Sequence, residues 1–68
     1  MPEGKLGSRL REARTGAGLT QAELAELVSV SRKTINTVEN SVFIPSTLLA
    51  LKLAKALGKR VEDLFYLA

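Results

Sequence analysis

The chain has 68 residues with no cysteine and no histidine, so it can form neither a disulfide nor a Cys/His zinc site. Below roughly 70 to 80 residues a lone core seldom supplies more than about 3 to 5 kcal/mol, which leaves close helix packing or a second copy as the remaining sources of stability. The net charge of +3 is mildly basic and fits either an anionic partner or a solvated surface.

Leu6, Leu10, Ala13 and Ala17 recur at spacings of four, three and four, which predicts a first helix ended by Gly18. Thr20 and Glu23 have the spacing of a capping box, and Leu19 and Leu24 that of a hydrophobic staple, so a second helix starts at Gln21 with Leu24, Leu27 and Val28 inward. A short break at Ser29-Val30-Ser31 leads to a new N-cap, Ser31, and a third helix over 32–40 with Ile35 and Val38 inward. Residues 41–45 read as a loop, because the residue before Pro45 avoids helical angles. Ser46 caps a fourth helix whose inner face is Leu49, Ala50, Leu53, Ala54 and Leu57, and Gly58 ends it. Val61, Leu64 and Phe65 have the spacing of a short fifth helix, and no strand pattern competes. These elements predict one all-α domain over 1–68, a compact five-helix bundle with 1–4 as a flexible N-terminus and 66–68 as a tail.

Two short helices joined by three residues must cross at a large angle, and the small Ala25 lets them approach. On the third helix the residues left outward are Lys33, Asn36, Thr37 and Asn40, with Arg32 at its start. Arginine and lysine can donate to guanine, asparagine can pair with adenine, and a threonine methyl can touch the thymine methyl. Glu39 is the only acid on this helix, whereas the second helix carries Glu23 and Glu26. A solvated helix face has the same periodicity, so the stripe by itself leaves both readings open.

The run Thr20-Gln21-Ala22-Glu23-Leu24-Ala25-Glu26-Leu27-Val28-Ser29-Val30-Ser31-Arg32-Lys33-Thr34-Ile35-Asn36-Thr37-Val38-Glu39-Asn40 closely resembles the phage-repressor-like helix-turn-helix family, the Cro/repressor or xenobiotic-response-element type. Pro45-Ser46, the Leu49 to Gly58 run and Val61-Glu62-Asp63-Leu64-Phe65 extend the resemblance to about residues 5–66. It implies a lambda-repressor-like domain with the helix-turn-helix as its second and third helices, binding double-stranded DNA. It also implies that Arg32, Lys33 and Thr37 touch bases with Asn36 beside them, and that Gln21, Thr34 and Asn40 lie near phosphates. Arg14 and Glu39 match a salt bridge that orients the recognition helix in some members. An exposed Glu39 with Arg14 as an ordinary surface charge is the alternative.

The sequence departs from the family at four places. Ser29 occupies a turn position where glycine is usual, which predicts positive φ there, and Arg60 stands where a capping Ser or Thr is common. Thr47 and Leu48 exchange the usual apolar and polar positions, and Val42-Phe43-Ile44 makes the following loop unusually apolar. Exposed apolar residues on so small a chain ask for a partner. Leu48, Tyr66 and Leu67 are read as a homodimer interface, and Phe43 and Phe65 as completing the monomer core. The function expected is a dimeric transcription regulator, a repressor on a short palindromic operator. An antitoxin, controller or co-regulator contacting another protein is the alternative.

No enzyme is expected, because histidine, cysteine, a metal cluster and a phosphate-cradling glycine loop are all missing from the sequence. No cofactor, small-molecule ligand or membrane partner is expected either. The longest uncharged run, 40–51, is too short to span a bilayer and no stretch reads as a signal peptide, which predicts a cytoplasmic protein.

Overall fold

A computed structural model describes residues 4–68, and residues 1–3 of the expected flexible N-terminus lie outside the described residues. In chain order the elements are β1 (Leu6–Ser8), α1 (Leu10–Gly16), α2 (Gln21–Leu27), α3 (Arg32–Glu39), α4 (Thr47–Leu57), α5 (Val61–Leu64) and β2 (Phe65–Leu67). The helices enclose one apolar core in which Leu10, Leu24, Ile35, Val38, Leu53 and Leu64 are fully buried. Among the described residues no helix is long and apolar enough to cross a membrane.

Local chemistry explains where the helices begin. Thr20 accepts from the Glu23 N–H at 3.0 Å while the Glu23 carboxylate accepts from the Thr20 N–H at 2.8 Å, closing the capping box. Ser31 and Ser46 likewise accept from the Thr34 and Leu49 N–H groups. Before α5, where no Ser or Thr is available, the Asp63 carboxylate accepts from the Arg60 N–H at 3.0 Å and so supplies half of a box. That bond, with the Arg60 guanidinium, holds the Asp63 carboxyl below its ordinary range.

Four helices end in one pattern, a left-handed residue after the last turn. At Gly18, Ser29, Ser41 and Gly58, φ is 73°, 60°, 59° and 63°. In each case the next N–H reaches back to the last turn: Leu19 to Arg14, Val30 to Ala25, Val42 to Thr37 and Lys59 to Ala54. Two of these positions carry a serine Cβ in a conformation that costs about 1 kcal/mol. Ser29→Gly and Ser41→Gly are therefore each expected to raise stability by about 1 kcal/mol, read as a rise in Tm of about 4–8 °C for a domain of this size. An unchanged Tm in both variants would show that these turns carry no strain.

The structure corrects the sequence reading at both ends. Leu6 is not part of the first helix, which starts at Leu10, and Phe65 is not part of the fifth, which ends at Leu64. Both belong to a short antiparallel pair that periodicity did not reveal, with Leu6 opposite Leu67, Gly7 opposite Tyr66 and Ser8 opposite Phe65. Gly7 is what permits this pairing to close tightly. A Cβ there would lie 2.3 Å from Cζ of Tyr66, so the ring rests directly on glycine backbone. Arg9 stands over the same ring, 4.2 Å from its centroid.

Three further expectations fail. Leu27 is 60% exposed, because Ala25 and Val28 place the buried stripe of α2 on the other side of Leu24. Ala17 lies beyond the end of α1 and is exposed. Phe65 joins the core as expected, but Phe43 is 47% exposed, because it lies on the loop after α3 at the rim of a recess lined by Val28, Val30 and Leu49 and not within the core.

Candidate nucleic-acid interface

α3 is anchored from behind by Ile35 and Val38, which are buried against α2 and the rest of the core. Between α2 and α3, Ala25 is 3% exposed, so its small side chain allows the close crossing. On the opposite side Arg32, Lys33, Asn36 and Asn40 are exposed, and Thr34 and Thr37 are half-buried. The Thr37 hydroxyl donates to the Thr34 carbonyl at 3.0 Å, which orients its methyl group. The N-terminal end of α3 thus projects two cations and an amide from a rigid support.

Glu39, the one acid of α3, turns inward and its side chain is fully buried. Arg14 meets both carboxylate oxygens, Nε on Oε2 and Nη2 on Oε1, and its Nη1 donates to the Leu19 carbonyl at 2.9 Å. Gln21 Nε2 at 3.0 Å and Arg11 Nε at 3.3 Å also donate to Oε1. Burial pushes the Glu39 carboxyl up, but the hydrogen bonds from Arg14, Gln21 and Arg11 and the Arg14 charge outweigh it, so the carboxyl is held below its ordinary range. Hydrogen bonding to Glu39 raises the Arg14 guanidinium in turn, against a smaller effect of burial. The pair is ionised, and the acid leaves no negative charge on the outward face.

Gln21 is half-buried at the first turn of α2 and spans both helices. Besides Glu39 it reaches Asn36 Oδ1 from Nε2 at 3.3 Å, and its Oε1 accepts from Arg32 Nη1 at 3.4 Å. Arg11, which sequence reasoning missed, joins the cluster through Glu39 and through Asn40 Oδ1 at 3.1 Å. Its signal was present in the i, i+3 spacing of Arg11 and Arg14, two cations on one side of α1 that converge on a single acid.

Leu48 is 64% exposed and borders an apolar recess with Val28, Val30, Phe43 and Leu49. Leu67 is 82% exposed at the end of β2, whereas one side of Tyr66 is taken by Gly7.

A helix-turn-helix family model matches residues 10–64. An uncharacterised helix-turn-helix-type transcriptional regulator of Bacillus subtilis, YgzD, is 40% identical over 60 residues, 88% of this chain and 91% of its own length. Another from Methanothermobacter thermautotrophicus is 49% identical over 59 residues, 85% of this chain and 86% of its own. Among solved structures, the restriction-modification controller protein C.AhdI of Aeromonas hydrophila superposes with a TM-score of 0.76 at 40% identity, covering 81% of this chain and 83% of that one. The clp gene regulator ClgR of Corynebacterium glutamicum superposes with a TM-score of 0.75 at 35% identity, covering 79% of this chain and 57% of that one.

Proposed function

Since the chain belongs to the helix-turn-helix family of Cro/C1-type DNA-binding transcriptional regulators, we propose that it represses transcription as a homodimer on a short palindromic operator, with α3 in the major groove. The observation that carries this reading is the division of α3 into two faces. Its apolar residues and its acid are buried, while Arg32, Lys33 and Asn36 are exposed. In the complex Arg32, Lys33, Asn36 and Thr37 face base edges near the N-terminal end of the recognition helix. Gln21, Thr34 and Asn40 flank that face, next to the phosphate ridges, while Arg14 and Glu39 set the tilt of the helix. Affinity comes mainly from phosphates, and preference from this face and from how readily the duplex bends.

Selection of bound sites from random duplexes, followed by titration, tests the proposal. Arg32→Ala and Lys33→Ala are each expected to cost about 1–3 kcal/mol at the selected site and to relax base preference, with a smaller loss on random DNA. Equal losses on selected and random duplexes would refute base reading by these side chains. Failure to form any complex at low ionic strength would refute the function itself.

The exposed apolar surface around Leu48 and Phe43 supports a second reading, a protein-contacting module such as a controller, antitoxin or co-regulator. Light scattering separates the two: a self-dimer supports the operator model, and a monomer at high concentration favours a different protein as the partner.

A further inference from the structure

The polar groups along α3 form one hydrogen-bonded chain whose direction is dictated by its ends. Arg11 can only donate, so the Asn40 atom facing it at 3.1 Å is Oδ1. The other end of the Asn40 amide, Nδ2, lies 2.9 Å from the Asn36 backbone oxygen, which can only accept. That same Nδ2 is 3.1 Å from the Asn36 side chain, whose facing atom must therefore be the acceptor, Oδ1.

The opposite end of the chain requires the same orientation. Glu39, ionised and buried, can only accept, so the Gln21 atom 3.0 Å from it is Nε2. Gln21 Nε2 is also 3.3 Å from Asn36 Oδ1, and Arg32, a pure donor, occupies the Gln21 oxygen at 3.4 Å. Two independent donors thus converge on Asn36 Oδ1, which leaves its Nδ2 with no partner among the described residues on the exposed face.

We infer that Asn36 is a polarised reader: it offers two N–H donors and no acceptor, and so selects a keto-bearing base, guanine or thymine, over amino-bearing adenine or cytosine. Guanine O6 and N7 are both acceptors in the major groove and thymine O4 is another, whereas adenine sets its N6 amino group beside its single acceptor N7 and cytosine presents its N4 amino group alone, so each opposes an Asn36 donor. The familiar two-bond pairing of asparagine with adenine needs a free Oδ1, and here that oxygen is taken. Arg11 and Asn40 act as positioning residues, because they hold the amide without touching a base. The base preference rests on the DNA-binding function proposed above, but the amide orientation does not.

The orientation is tested on the free protein by NMR of its ¹⁵N-labelled side-chain amides. Hydrogen exchange at the Asn36 side chain is expected to match an unprotected amide, and at Asn40 to be slower. Protection at Asn36 would overturn the inference whether or not any duplex binds. The base preference is tested by site selection with the wild type and with Asn36→Ala, the position that relaxes being the one Asn36 reads. Guanine or thymine is expected there, with about a tenfold loss on replacement by cytosine. A wild-type preference for adenine or cytosine at that position would overturn it.

Asn40→Ala combined with Gln21→Ala removes both donors to Asn36 Oδ1 and should free the amide to turn, so that adenine and cytosine become acceptable at this one position. Equal relaxation at every position would assign the two residues a merely structural role. Absence of binding to every duplex would sink the function and the base preference together, and the exchange measurement alone would then judge the orientation.

Discussion

Glu39→Ala is expected to destabilise the fold by about 3 kcal/mol and to lower Tm by on the order of 15 °C. The alanine variant leaves Arg14 facing the space of a fully buried carboxylate, with its side chain only 12% exposed. Arg11 and Gln21 lose the same acceptor. The cost falls at the low end of the range for breaking a buried pair, because Arg11 reaches water directly. Since Glu39 ties α3 to α1 and α2, operator affinity should fall even at temperatures where the variant remains folded.

The same group predicts a pH dependence. Its carboxyl is held below the ordinary value of 4.5, so its contribution is complete above that value and is lost as pH falls through the lower folded-state value. Between pH 6 and 8 this group contributes no slope. Thermal melts of the wild type and Glu39→Gln from pH 7 to pH 3 check the sign: the gap between them should be constant near neutrality and narrow in acid. A gap that persists unchanged to pH 3 would show that the charge of Glu39 contributes nothing.

The second large effect is expected at Leu48. If this exposed leucine is the centre of the contact between copies, Leu48→Glu should yield a monomer and lower operator affinity about 100-fold, because the second half-site is no longer engaged at high effective concentration. The monomer fold should be preserved. Leu48 is already exposed on α4, and a glutamate there has Lys52 one turn ahead at i, i+4, a favourable helix pair. Light scattering gives the mass and a melt gives the fold. A variant that keeps the mass of a dimer would exclude Leu48 from the interface. Tyr66 is a weaker test, because its ring also covers Gly7 and its replacement would disturb the strand pair.

The starts of α2, α3 and α4 and the stops at Gly18 and Gly58 were legible because each is set within a few residues. A side-chain oxygen at Thr20, Ser31 or Ser46 satisfies an N–H three positions on, and Gly18 and Gly58 readily take positive φ. Even Ser29, out of place by composition, showed its conformation through the family pattern around it. The outward stripe of α3 followed from the same local period once Ile35 and Val38 were placed inside.

The amino-acid sequence by itself thus determined the helices, their caps, the tight turn between α2 and α3, and which side of α3 faces out, since all of these depend on contacts within a turn or two. Only the tertiary structure decided what distant residues do to one another. β1 and β2 are three residues each and carry too little pattern to announce a pairing between the two ends of the chain. The side of Leu24 on which α2 buries its stripe depends on how α3 crosses it, which turned Leu27 outward. Glu39 could be read as an orienting acid only by resemblance. Its four-sided enclosure by Arg14, Gln21, Arg11 and the core, and the direction that this charge imposes on Gln21, Asn36 and Asn40, arise where three helices meet.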